Sequence, residues 1–292
     1  MHRFLSIAAA FLSWFSTSSL TASIVFSTGN PDGKIATLSR PAAPGLLETE
    51  TADDFILGQP ALITSATFVG LLPTGAPLSS ITQVEIELYH VFPVDSANPP
   101  DMRVVTRVNS PSDNQFAAFD SAMGSLSFTP SVLSSTFTAA NSVVNGIHAM
   151  PNQFNGGEGP VTGEEVQITV TFLTPFFVGA ADHDFFRPEV ALSSGNFLWL
   201  SAPKPITSPG TPFQFPGGPG TDLQTWIRND GPGALAPDWE RIGTDVTHQG
   251  PFDATFSLSG TALPEPSGLL LGGAGLGLCA LRFLLRSGLG RR

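Results

Sequence analysis

The chain has 292 residues with 24 acidic against 13 basic side chains, a formal charge of −11, and charged residues make up only 13% of it, about half the usual share. Between residues 23 and 263 the balance is 23 acidic against 8 basic, a net of −15, which repels phosphate backbones and argues against any nucleic-acid partner. The single cysteine, Cys279, sits in an apolar stretch near the C-terminus, so residues 23–263 can form neither a disulfide nor a thiol nucleophile.

Residues 1–22 begin with His2 and Arg3, run through the apolar stretch 4–15 and end in small polar residues. That is the plan of a secretory signal peptide, and it predicts export by the general secretion machinery with signal peptidase cutting after Ala22 or Ser23.

From residue 24 to residue 263 the pattern is β throughout. Val84, Ile86 and Leu88 alternate with Gln83, Glu85 and Glu87; Val166, Ile168, Val170 and Phe172 alternate with Glu165, Gln167, Thr169 and Thr171; Phe252, Ala254, Phe256 and Leu258 repeat the period. Period two places one set on a core and the other in water. Shorter candidate strands are 54–57, 65–71, 103–108, 125–128, 189–192, 197–200 and 223–228, and 131–141 fits a short helix or a strand. Residues 201–237 read as a loop-rich insertion held by Trp226 and Ile227. Gly and Pro, 30 and 26 of them, punctuate the strands, so the expectation is one all-β domain over residues 23–263, an antiparallel β-sandwich or jelly roll.

Four groups of residues bear on chemistry. Asp53 and Asp54, in Ala52-Asp-Asp-Phe55, offer two carboxylates to Ca²⁺ at a strand start or cap backbone amides in a turn. Asp182-His183-Asp184 is the densest ligand-like cluster, and strand alternation puts Asp182 and Asp184 on one face with His183 on the other. The pairs Glu85 with Glu87 and Glu164 with Glu165 raise the two-carboxyl chemistry of a polysaccharide-acting hydrolase, although a wet sheet face carries the same pattern. Trp239, between Asp238 and Glu240, reads as the exposed platform on which a carbohydrate-binding module stacks a sugar ring, whereas Trp199 reads as core. No G-x-S-x-G nucleophile turn occurs.

The last 29 residues have three parts: Pro264-Glu265-Pro266 followed by Ser267, an apolar run, and a tail bearing Arg282, Arg286, Arg291 and Arg292. Counted to Leu285, the run over residues 268–285 would span about 27 Å as a helix, close to the ~30 Å hydrocarbon core of a bilayer. The prolines keep Glu265 extended and out of that helix. Gly268, Gly272, Gly273 and Gly277 give the close-packing spacing of membrane helices, and the arginines predict a cytoplasmic C-terminus.

In this order the segment resembles the PEP-CTERM sorting signal of Gram-negative bacteria that make extracellular polysaccharide, although its arginines are spread where that family shows a compact cluster. The resemblance implies recognition by exosortase, a membrane protease-transpeptidase, transient membrane anchoring, and release or attachment of residues 23–263 at the cell surface or in an exopolysaccharide biofilm. With no catalytic motif above background, residues 23–263 are expected to be non-enzymatic.

Overall fold

The computed structural model describes residues 22–92, 108–145, 156–204, 222–230 and 239–263. Within them the chain is mostly strand, with short helical turns at Leu78–Ser80 and Ile242–Val246. The alternating segments become β5 (Ile81–Val91), β9 (Val161–Val178) and, split by Thr255, β14 (Asp253–Ala254) and β15 (Phe256–Ala262). Of the shorter candidates, five extend to β3 (Glu48–Ile56), β4 (Ala61–Pro73), β10 (His183–Leu192), β11 (Leu198–Ala202) and β12 (Trp226–Asp230), 125–128 falls at the start of β7 (Leu126–Ala139), and 103–108 lies, except for Val108 in a turn, outside the described residues. The segment that fitted helix or strand is strand, as most of β7. Periodicity did not announce β1 (Ser23–Ser27), β2 (Ile35–Leu38), β6 (Pro111–Asp120), β8 (Asn141–Val143) or β13 (Glu240–Arg241).

Two sheets form. The six-stranded one runs β13-β12-β3-β10-β5-β6, antiparallel throughout. The nine-stranded one has the path β1-β15-β4-β11-β2-β8, with β9 on the other side of β4, β7 beyond β9, and β14 on β11. Only β2 with β8 is parallel. The reading of residues 201–237 as an insertion is corrected by β12, which pairs with β3 over Trp226 to Asp230 inside the six-stranded sheet.

Both sheets contribute to one core. Phe55, Val84, Ile86, Leu88 and Phe186 from the six-stranded sheet meet Phe26, Phe68, Ile168, Trp199 and Phe256 from the nine-stranded one. Phe186 stacks on Phe256 with ring centres 4.9 Å apart and planes 7° from parallel. Close packing explains one glycine: a Cβ on Gly70 would lie 2.1 Å from the Phe197 ring, far inside contact distance.

Among the described residues no helix is long and apolar enough to cross a membrane. The predicted span at 268–285, the Pro264-Glu265-Pro266 motif, Arg282, Arg286, Arg291, Arg292 and the signal-peptide residues 1–21 all lie outside the described residues.

Candidate functional site

Strand alternation sends the odd residues of β5 and β10 and the even residues of β3 and β12 to the face of the six-stranded sheet turned away from the shared core. That face holds Glu48, Glu50, Glu87, Tyr89, Arg187, Glu189 and Arg228. In place of the wet acidic surface expected from Glu85 and Glu87, most of it is buried: Glu50, Arg187 and Glu189 are each no more than 1% exposed.

Arg187 organises the group. Its Nη2 lies 2.7 Å from Glu50 Oε1, 2.5 Å from Glu87 Oε2 and 3.4 Å from Glu48 Oε1, and its Nη1 lies 2.5 Å from Glu189 Oε2. Arg228 Nε donates to Glu50 Oε2. The Tyr89 hydroxyl donates to Glu87 Oε2 at 2.5 Å. Four carboxylates thus face two guanidinium groups, and their environments part them. Burial works to raise the Glu50 carboxyl, but Arg187 and Arg228 together hold it below the usual carboxylate range. Glu189 goes the other way: burial, reinforced by Glu48, Glu50 and Glu85, pushes it well above that range despite Arg187. Burial opposes the Arg187 charge, yet Glu189 and Glu50 raise its pKa further.

Glu48, Glu50 and Glu189 also form a group, among the described residues, whose ligand atoms converge within 4.8 Å of one another, as a metal site requires. The Arg187 guanidinium is ion-paired with all three. The cation these carboxylates face is therefore supplied by the protein, and an incoming metal ion would have to displace it.

The aspartates singled out from sequence are not brought together as Ca²⁺ ligands. Asp53 and Asp54 are adjacent on β3, so their side chains leave opposite faces. Asp53 points inward, where Ala254 N–H donates to Oδ2 at 2.9 Å and Thr225 Oγ1 lies 3.0 Å from Oδ1. Asp54 points outward and accepts from Leu223 N–H at 3.0 Å, with His183 Nε2 at 2.7 Å. Asp182 precedes β10 and caps Gly179 N–H at 2.9 Å, while Asp184 meets His90 Nδ1 at 2.8 Å across β5. These four carboxylates each engage partners of their own, and Asp53 ties β3 to β14 of the other sheet.

Around Asp53 and Asp54 a second charge cluster closes, which sequence reasoning missed. Lys204, just past β11, places Nζ 2.9 Å from Asp222 Oδ1 and 3.2 Å from Asp253 Oδ1. One lysine among four aspartates leaves an excess of negative charge. Burial, then Asp253 and Asp54, raises Asp53 well above the usual range, and burial with Asp222 and Asp54 does the same for Asp253. Asp222 is pushed up to about 6, chiefly by burial and against the pull of Lys204.

The pH response follows in sign. A carboxyl whose folded-state pKa is raised holds protons that the unfolded chain has released, so its contribution to stability is greatest at low pH and is lost as pH rises through the folded pKa. For Asp222 the window runs from its unperturbed 3.8 to about 6. Stability is expected to increase as pH falls from 7 to 5, by at most about 1.4 kcal/mol per pH unit for each proton taken up. Urea unfolding of wild type and Asp222→Asn at both pH values checks this: the variant should show the shallower dependence, and a wild type that weakens on acidification to pH 5 would contradict the assignment.

Trp239 is not a surface platform. It is fully buried, edge-on to Tyr89 with centres 5.8 Å apart, and Arg228 lies over its ring at 4.6 Å. Its acidic and basic neighbours in sequence suggested exposure, but the burial of the charge network encloses it; Trp199 and Trp226 are buried as well. Glu164 and Glu165, adjacent on β9, point to opposite faces and do not form a facing pair. Comparison with family models, with curated proteins and with solved structures found no match to this chain.

Proposed function

We propose that this is an exported envelope or matrix protein: a two-sheet β-sandwich domain delivered by a signal peptide and handed to an exosortase through its C-terminal tail, with a place in an exopolysaccharide matrix. The observation that carries the proposal is where the described strands end. The last of them ends at Ala262, and Leu263 N–H still bonds Pro60 O at 2.8 Å, one residue before Pro264. The first strand begins at Ser23, beside the expected signal-peptide cut, and pairs with that last strand, Ser23 opposite Gly260. A cut on either side would therefore leave every described strand intact. The buried carboxylates, engaged by arginine, lysine and backbone donors, favour a structural passenger over a hydrolase.

The test is processing in the native cell. Changing Pro264-Glu265-Pro266 to alanines is expected to leave full-length precursor in the inner membrane, whereas wild type appears outside as a shorter species. Normal processing of the variant would replace the sorting signal with an ordinary anchor.

A further inference from the structure

Ile24, Leu62, Leu173 and Phe177, with Met123 beside them, form a group of exposed large apolar side chains at one end of the nine-stranded sheet; Val132 and Leu133 are exposed toward its other end. Leu62 on β4 is the direct cross-strand partner of Phe177 on β9, and its other neighbour is Thr261 on β15. Ile24 lies opposite Ser259 on the edge strand. Phe177 is 58% exposed, Ile24 55% and Leu62 37%. Leu173, 75% exposed, follows on β9, and its N–H bonds Ser125 O, which brings the 121–125 hairpin with the exposed Met123 to the same end.

Charge marks this end as well. Residues 23–27, 58–66, 121–126, 171–181 and 256–263 contain no charged side chain, in a domain with a net of −15. Asp182, on Gly179 N–H, and Asp120, on Ala122 N–H, border these segments. An acidic body is repelled by the phosphate of a bilayer surface, and here that penalty is confined to the border.

The chain's exit fixes what covers the patch. Ala262 pairs with Ala61, which pairs with Val178, so the chain leaves the fold beside Leu62 and Phe177. Five residues, 263–267, separate the last strand from the apolar run, and at full extension they reach at most about 18 Å. We propose that this end of the domain is a lipid-docking face, with Ile24, Leu62 and Phe177 resting in the headgroup region of the bilayer that holds the tail. The inference rests on the reading of residues 268–285 as membrane-inserted. Docking holds the extended Pro264-Glu265-Pro266 segment at the membrane surface, within reach of a membrane-embedded protease.

The experiment uses residues 23–292, which retain all described strands, with Cys279→Ala as background. Single cysteines at Leu62, Phe177 and, as a control, Leu133 carry an environment-sensitive fluorophore. Leu133 is exposed and lies on β7 beside the Glu165 and Leu71 level, roughly 30 Å along the sheet from Ala61. The chain is reconstituted in phosphatidylcholine–phosphatidylglycerol vesicles with or without brominated acyl chains. Flotation with the vesicles, about two-fold quenching at Leu62 and Phe177 and none at Leu133 is the expected result for side chains seated at the headgroup–acyl boundary. Flotation with no quenching, or with equal quenching at all three positions, overturns the docking face and leaves the tail reading intact. Failure to float overturns the tail reading and this one with it. Should either labelled variant melt well below the parent, Ile24→Cys takes its place.

Discussion

Replacing Arg187 by leucine is expected to cost the domain about 3–5 kcal/mol, because removing one partner leaves buried charge uncompensated. Glu50, Glu87 and Glu189 each lie within 2.7 Å of its guanidinium, and Arg228 would remain paired with Glu50. At roughly 2–4 °C per kcal/mol for a domain of this size, the melting temperature should drop by about 6–20 °C. The loss should shrink on acidification, as the orphaned carboxylates take up protons. A double variant, Arg187→Leu with Glu189→Leu, should recover part of it, since exchanging a buried pair for apolar residues is often close to neutral. A single-variant loss under about 1 kcal/mol would mean that water reaches the network and screens it.

Truncating Phe186 to alanine should be as damaging, about 3–5 kcal/mol, for a different reason. Its ring stacks on Phe256 and lies 6.4 Å from Phe68 and 6.2 Å from Trp199, all three on the opposite sheet. No small neighbour can collapse into the space, so the lost burial is compounded by a cavity between the sheets. Phe177→Ala is the comparison: removing an exposed ring should change stability by less than about 0.5 kcal/mol. Chemical denaturation of the two variants checks both numbers, and equal losses would contradict the placement of the shared core.

The strands most legible in the sequence were those that alternate apolar with polar residues. Gln83, Glu85 and Glu87 against Val84, Ile86 and Leu88 revealed β5 without ambiguity. Ile35-Ala-Thr-Leu38 of β2 is buried on both faces, so it has no alternation to show, and β6 carries Pro111, Asp113 and Asn114, residues of poor strand propensity held by pairing with β5. Alternation revealed that Glu85 and Glu87 share a face but not that the face is buried, because burial comes from what the rest of the chain lays over it. Arg187 and Glu189, two apart amid Phe185, Phe186 and Val190, were the available hint of a buried ion pair. Applied to Asp53 and Asp54, the same alternation would have separated their carboxylates from the start. Trp239 misled for the converse reason: charged neighbours in sequence belong to the interior when the charges themselves are buried.

The pairing of β1 with β15, and of β15 with β4, has a consequence in time. The first strand to be made finds its partner only when residues 256–262 have followed, some 230 positions later. Closure of so long a loop is slow, and until it happens β4 and β1 each keep an unsatisfied edge. The nine-stranded sheet therefore stays incomplete until nearly the whole of residues 23–263 has been delivered, whatever the route. Completion of the sheet and arrival of residues 256–262 become a single event, and a chain truncated before Phe256 would keep two open edges, exposed to aggregation and proteolysis.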